Sequence, residues 1–247
     1  MLRAARTAAG CLLAVLAAAC TGPARTDADA MPAGQGVAGA NRLTAQEQEE
    51  GWRLLFDGQT LTGWRGYGMQ TMPEGWAVVD GSLTRTAPAA DIVTTGQFRN
   101  FDLQLEWKIA PGGNSGIFYR AVETSDPIYH NAPEYQILDD NVHQDGRSQL
   151  TSAGANYALH PAPRGVVRPV GEWNTARIVV QGNHVEHWLN GQKIVEYELG
   201  SSDWQQRVAN SKFTEWPGYG KAAQGHIGLQ EHGSWIAYRN VKLRVLP

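Results

Sequence analysis

Beyond residue 20 the chain contains no cysteine, for Cys11 and Cys20 are the only two in 247 residues. Any later domain must therefore hold together without disulfides, which a unit of about two hundred residues does by burying enough apolar surface. A basic stripe is also missing. With a formal charge of −3 and a pI near 6.2, the chain lacks the clustered positive surface that phosphate binding needs, and nucleic acid is excluded as a partner. There is no G-x-S-x-G elbow, Walker loop, H-E-x-x-H or strand-helix unit with G-x-G-x-x-G. Serine-nucleophile, nucleotide and zincin chemistries are set aside accordingly.

The apolar run from Cys11 to Ala18 is too short to span a bilayer. It follows Arg3 and Arg6 and leads through small residues to Cys20, the composition of an export signal over residues 1–20. "LAAAC" resembles the lipobox of bacterial lipoproteins, with Ala17 where a larger aliphatic is usual; the resemblance implies lipidation at Cys20. The expectation is an exported protein, periplasmic or at the cell surface, attached to the membrane only through that lipid. Residues 21–43, rich in Ala, Gly, Pro, Thr and Asp, are too poor in large apolar groups to repay ordering and read as a flexible tether. One domain is expected over 44–247.

That region is rich in aromatics and in a period of two. Nine Trp and eight Tyr suit either a sandwich core or a sugar platform. In "TAQEQEEGW", Thr44 with Glu47 forms a capping box for a short helix that Gly51 stops. "FDLQLEWKI" then puts Phe101, Leu103, Leu105, Trp107 and Ile109 on one face and Asp102, Gln104, Glu106 and Lys108 on the other. "ARIVVQGNHVEHWLNGQKIVEYEL" predicts three antiparallel strands, with Asn190-Gly191 suited to a type I′ hairpin. No strand-helix alternation suggests a parallel sheet. The fold class is all-β, a sandwich or jelly roll of about a dozen strands. One short helix is inserted at "GSSDWQQRVANSKF", capped by Ser202 with Gln205 and running to about Asn210.

The same alternation gathers polar groups. In "PEYQILDD", Tyr135 and Ile137 face one way and Glu134 and Gln136 the other. In "GHIGLQEHG", Ile227 and Leu229 face the core, so Gln230 and His232 share the opposite face with His226. In "SGIFYR", Arg120 alternates with Tyr119. If these strands share one sheet, its outer face carries Glu134, Gln136, Gln230 and His232, with Arg120 joining them. Such a surface could hold a sugar. The bland readings are solvated strand residues, a surface ion pair for Arg120 and a loop position for His232. Asp139, Asp140, Asn141 and His143 form an oxygen-rich bend that admits a divalent cation or, more simply, an Asx-type turn. The sequence requires no cofactor. "SKFTEWPGYGKAAQG" reads as a rim loop holding Lys212, Trp216, Tyr219 and Lys221, and such loops carry specificity.

"WRLLFDGQTLTGW", "NSGIFYR", "PEYQILDD", "GEWNTARIVVQGNHVEHWLNG" and "GHIGLQEHGSWIAYRNVKL" resemble, in that order, the 3-keto-disaccharide hydrolase domain family (DUF1080). The likeness runs from Gly51 to Leu246. Glu231 departs from it, standing where the family more often has Asp. The resemblance implies a concanavalin A-like jelly-roll sandwich of two antiparallel sheets. It also implies an exported bacterial enzyme whose partner is an oxidised sugar, a glycoside carrying a ketone at C3. Such a ketone acidifies the C2 hydrogen, so elimination of the C1 aglycone followed by hydration achieves net hydrolysis. On the faces assigned above, Glu134 or His232 is the base, and Arg120 with Gln136 or Gln230 contacts the enolate or hydroxyls. Lys212 is an acid or charge stabiliser, and Trp216 or Tyr157 stacks on a ring. The rivals are a non-catalytic carbohydrate-binding module and a two-carboxylate glycosidase. The latter needs a second carboxyl within about 5 to 10 Å of Glu134, and only Asp139 or Asp140 offers itself.

Overall fold

Period-two patterning and turn chemistry account for most of the architecture. The computed structural model describes residues 39–124 and 127–247; Cys11, Cys20, the export signal and residues 21–38 of the tether lie outside the described residues. The strands are β1 (Arg53–Leu54), β2 (Trp64–Gly66), β3 (Trp76–Val79), β4 (Ser82–Arg85), β5 (Ile92–Thr94), β6 (Phe101–Ile109), β7 (Asn114–Ala121), β8 (Glu134–Leu138), β9 (Asn174–Gln181), β10 (His184–Leu189), β11 (Gln192–Glu198), β12 (His226–Leu229) and β13 (Ile236–Val245). All their pairings are antiparallel. The larger sheet runs β11-β10-β9-β6-β13-β4-β3 with β1 on β13, and the smaller runs β2-β5-β12-β7-β8. This is the jelly-roll sandwich expected.

The core lies between the sheets. All five apolar residues of β6 are buried there, with Ile117 and Tyr119 of β7, Tyr135 and Ile137 of β8, and Ile227 and Leu229 of β12 facing them. Each large side chain so buried contributes about 1.5–3 kcal/mol. The hairpins follow the turn residues. Asn190 and Gly191 take φ of 50° and 83°, and Asp80 and Gly81 take 49° and 72°, the paired left-handed conformations of a type I′ turn. Helix α1 (Ala45–Glu49) carries the expected Thr44–Glu47 capping box.

Some boundaries differ from those expected. Helix α2 (Ser202–Ala209) is capped by Ser201, whose hydroxyl accepts from Trp204 N, and not by Ser202. The packed chain begins before Leu43: Asn41 is buried, its Oδ1 accepting from Asn240 N at 2.8 Å and its Nδ2 donating to Gly81 O at 2.8 Å. Tyr219, read as a rim residue, is buried and stacks on Phe213 at 3.9 Å.

Candidate active site

Alternation on β8 sends Tyr135 and Ile137 into the core and leaves Glu134 and Gln136 on the outer face of the smaller sheet. They are not solvated there, for every residue of β8 is buried. Next door, β7 pairs Gly116 with Gln136 and Phe118 with Glu134. The Glu134 side chain lies across Gly116, where an added Cβ would overlap its Oε1. Asn114 continues this face two residues before Gly116. Gln230 and His232 follow β12, whose Gly228 pairs with Phe118. Farther along, Tyr67, Val93, Phe118 and Ile128 form a separate small apolar cluster, so the polar patch is the uncovered end of the sheet.

Three loops wall it. Residues 154–157 run beside β8, with Gln136 N donating to Ala155 O at 3.0 Å and Tyr157 N to Glu134 O at 3.0 Å. That pairing sets Tyr157 against the carboxyl, and its hydroxyl donates to Asp145 Oδ2 at 3.4 Å. The second wall is the 3₁₀ turn Lys212–Glu215, capped by Ser211 and anchored by buried Phe213. Lys212 Nζ lies 4.6 Å from the Tyr157 ring centroid and 5.0 Å from that of Tyr129. Tyr129 belongs to the third wall, the turn Ile128–His130. Trp216 braces it, meeting Tyr129 edge-on at 5.6 Å and stacking on His130 at 4.0 Å. Asn114, Tyr129, Glu134, Gln136, Tyr157, Lys212, Gln230 and His232 together line a cavity of about 200 Å³.

The electrostatics of this cavity are unusual for a surface. Burial pushes the Glu134 carboxyl up to about 8; Lys212 opposes the rise, and Asp91 and Asp145 add to it. Burial also holds the Lys212 ammonium below its ordinary value, against the pull of Glu134 and Asp145. Tyr157 is raised to about 12 by burial and by the same two carboxylates. With its amide nitrogen toward the acceptors, Gln136 donates to Glu134 Oε1 and Ser115 O, each at 3.1 Å. Asn114 Oδ1 and Gln230 Oε1 are buried and have no hydrogen-bond partner among the described residues. Unpaired buried acceptors cost about 1–3 kcal/mol each, which a ligand presenting hydroxyl donors would recover.

A sequence profile of the 3-keto-alpha-glucoside-1,2-lyase-like domain matches residues 51–244. The chain belongs to that family. A 3-keto-disaccharide hydrolase of Bacteroides thetaiotaomicron is 35% identical, the match covering 80% of this chain and 79% of the relative. A crystal structure of a candidate glycosyl hydrolase from Parabacteroides distasonis ATCC 8503 superposes with a TM-score of 0.79 at 35% identity, covering 84% of this chain and 100% of that one. A second from the same organism gives a TM-score of 0.64 at 31% identity, with 79% and 99% covered.

This member of the 3-keto-alpha-glucoside-1,2-lyase-like family brings six of the expected site residues together: Glu134, Gln136, Tyr157, Lys212, Gln230 and His232. Arg120 is not among them. Between β7 and β12 the register shifts, His226 opposing Ala121 while Gly228 opposes Phe118, and Arg120 takes φ of 51°. This bulge breaks the alternation. The Arg120 guanidinium instead donates to the carbonyls of Arg99 and Gly182, at 2.8 and 2.6 Å. Trp216 supports the wall without lining the cavity. The cation set Asp139, Asp140 and His143 resolves into loop caps. Asp139 accepts from Gly112 N at 2.8 Å, Asp140 from Ala153 N at 2.8 Å, and His143 Nδ1 from Asp145 N at 3.2 Å. Among the described residues these three do not converge on a common point. The group that does, His184, Glu186 and Glu196 on the far sheet, is already bridged by Lys193.

The sequence reading does not reach Asn114, Tyr129 or Asp145. Carrying the alternation of β7 back from Phe118 through Gly116 reaches Asn114, so its signal was present. Tyr129 and Asp145 arrive on turns whose placement no periodicity reports.

Proposed function

We propose that this protein cleaves the glycosidic bond of a 3-keto-glycoside or 3-keto-disaccharide, with Glu134 as the base at C2. The observation carrying the proposal is a buried carboxyl, raised to about 8, in a polar cavity that also holds a lysine and two unpaired amide oxygens. A solvated strand glutamate has no reason to be so placed, whereas a base matched to near-neutral pH does. Family membership and the 3-keto-disaccharide hydrolase relative support the substrate class. In this reading Glu134 takes the C2 proton that the C3 ketone has acidified, and the resulting electron pair expels the aglycone oxygen from C1. Water then adds at C1 while the proton returns to C2. Lys212 acts on the ketone, His232 protonates the leaving oxygen, and Asn114 and Gln230 accept from ring hydroxyls. Walls of Tyr129 and Tyr157 suit a sugar face.

Purified protein incubated with 3-keto-lactose or an aryl 3-keto-glucoside should release the aglycone, and the unoxidised glycosides should not react. Saturable binding of ordinary glycans without turnover of either 3-keto substrate would replace the enzyme by a carbohydrate-binding module. We also propose export and lipid attachment through Cys20. Membrane fractionation should lose the protein on Cys20→Ser; an unchanged distribution would refute the anchor.

A further inference from the structure

We propose that Lys212 is a covalent nucleophile whose amine condenses with the C3 ketone of the substrate to form an imine. The inference rests on the 3-keto-glycoside reading above and assigns Lys212 a role beyond that of a hydrogen-bond donor or fixed charge. Its first support is placement. Lys212 lines the cavity with Glu134, on a 3₁₀ turn that buried Phe213 pins to Tyr219. Its second is the absence of an ion pair. Lys193 is bridged to Glu186 and Glu196, and Lys242 to Glu47, whereas Lys212 forms no salt bridge among the described residues. Three aromatic rings surround its Nζ instead, those of Tyr157, Tyr129 and Phe213 at 4.6, 5.0 and 5.3 Å.

That setting suits an amine that must lose a proton before it attacks, because burial disfavours the ammonium. Burial does lower its proton affinity, Glu134 and Asp145 opposing. The ring faces favour a cation of either kind, ammonium or iminium, so they also stabilise the intermediate once formed.

The steps balance without an added oxidant or reductant. The Nζ lone pair adds to C3, and the ketone oxygen takes up two protons and leaves as water, giving a protonated imine. Its positive nitrogen is a stronger electron sink than a neutral ketone. Glu134 removes the C2 proton to give an enamine, whose electrons expel the C1 aglycone oxygen as an alcohol once that oxygen is protonated. Water adds at C1 of the conjugated iminium, C2 recovers its proton, and hydrolysis of the imine returns the C3 ketone and the free amine. The alternative is that the Lys212 ammonium only hydrogen-bonds the ketone oxygen, forming no C–N bond.

Reductive trapping separates the two. The full-length protein is incubated briefly with methyl 3-keto-glucoside and sodium cyanoborohydride near pH 7, then mapped by peptide mass spectrometry, with Lys193 and Lys242 as internal controls for random labelling. The imine predicts one reduced sugar adduct on the Lys212 peptide, far above either control, with loss of activity in proportion. Lys212→Arg, which keeps the charge but forms no imine, should take no adduct there and lose about 10²-fold or more in turnover while melting normally; Lys212→Met serves if it does not fold. Labelling of Lys212 no greater than the controls, or an Arg variant keeping more than about a third of wild-type turnover, would overturn the proposal. If no 3-keto-glycoside is turned over at all, the functional reading fails. Trapping then still decides the imine, an adduct at Lys212 upholding it and none overturning it.

Discussion

The two outer faces of the sandwich bury polar residues in opposite ways. On the larger sheet Asp102 is 1% exposed and holds Arg177 in a two-pronged pair at 2.7 and 2.8 Å, with Arg244 at 3.1 Å. Nearby, Glu106 accepts from Arg239 at 2.7 Å and from Asn240 at 2.9 Å. These carboxylates have arginine partners. On the smaller sheet Glu134 is 5% exposed, forms no ion pair among the described residues, and neighbours two amide oxygens without partners. Both sets occupy the polar phase of an alternating strand. A buried carboxylate met by arginines can stay ionised, whereas one without an ion pair takes up a proton and is retained where chemistry uses it.

The comparison predicts a reciprocal pair of variants. Glu134→Gln should lower turnover of a 3-keto-glycoside by a factor of about 10² to 10⁴ while melting no lower than wild type. Asp102→Asn should leave turnover within about threefold. It should cost about 1–3 kcal/mol by urea unfolding, a figure reduced from that of a fully buried pair because both arginines are partly exposed. If Asp102→Asn abolishes turnover and Glu134→Gln only destabilises, the assignment of the two faces is inverted.

Gly116→Ala sharpens it next. The new Cβ would occupy the place of the Glu134 Oε1, so turnover should fall by about an order of magnitude or more, with about 1–3 kcal/mol lost to overpacking. Normal turnover would show that the carboxyl has room to work elsewhere.

The pH dependence of stability follows from the raised carboxyl. Folding lifts Glu134 from about 4.5 to about 8, so over that window the native state holds a proton that the unfolded chain releases. Its contribution is complete below about 4.5 and is lost as pH rises towards 8. Urea midpoints from pH 5 to 9 should fall more steeply for wild type than for Glu134→Gln, the variant gaining on wild type as pH rises and the difference levelling off above about 8. Parallel curves would mean that Glu134 is ionised in the fold. The catalytic arm has the same origin, since kcat/KM should rise with pH through that value as the base form appears.

The smallest effect expected is that of Asn114→Ala. Losing one neutral acceptor should raise KM by roughly three- to tenfold, and because relief of the unpaired buried Oδ1 offsets the packing lost with the side chain, stability should fall by no more than about 1 kcal/mol. A large drop in melting temperature with unchanged KM would make Asn114 a structural residue, as Asp102 is.

Local information determined much of this protein. Because successive side chains point to opposite faces of a strand, "FDLQLEWKI" and "PEYQILDD" report which residues enter the core, and the Asn190-Gly191 pair reports its hairpin. The same rule put Glu134, Gln136, Gln230 and His232 on one face, and ordered motifs led to the family. Alternation names a face without saying what covers it. It could not distinguish Asp102 from Glu134, because the arginines that neutralise the first come from β9 and β13, 75 and 142 residues away along the chain. Nor could it foresee that a bulge in β7 would turn Arg120 away, or that turns at Tyr129, Asp145 and Lys212 would close over the carboxyl. Those outcomes depend on how distant segments pack, and that packing sets the proton affinity of Glu134 through burial and neighbouring charge.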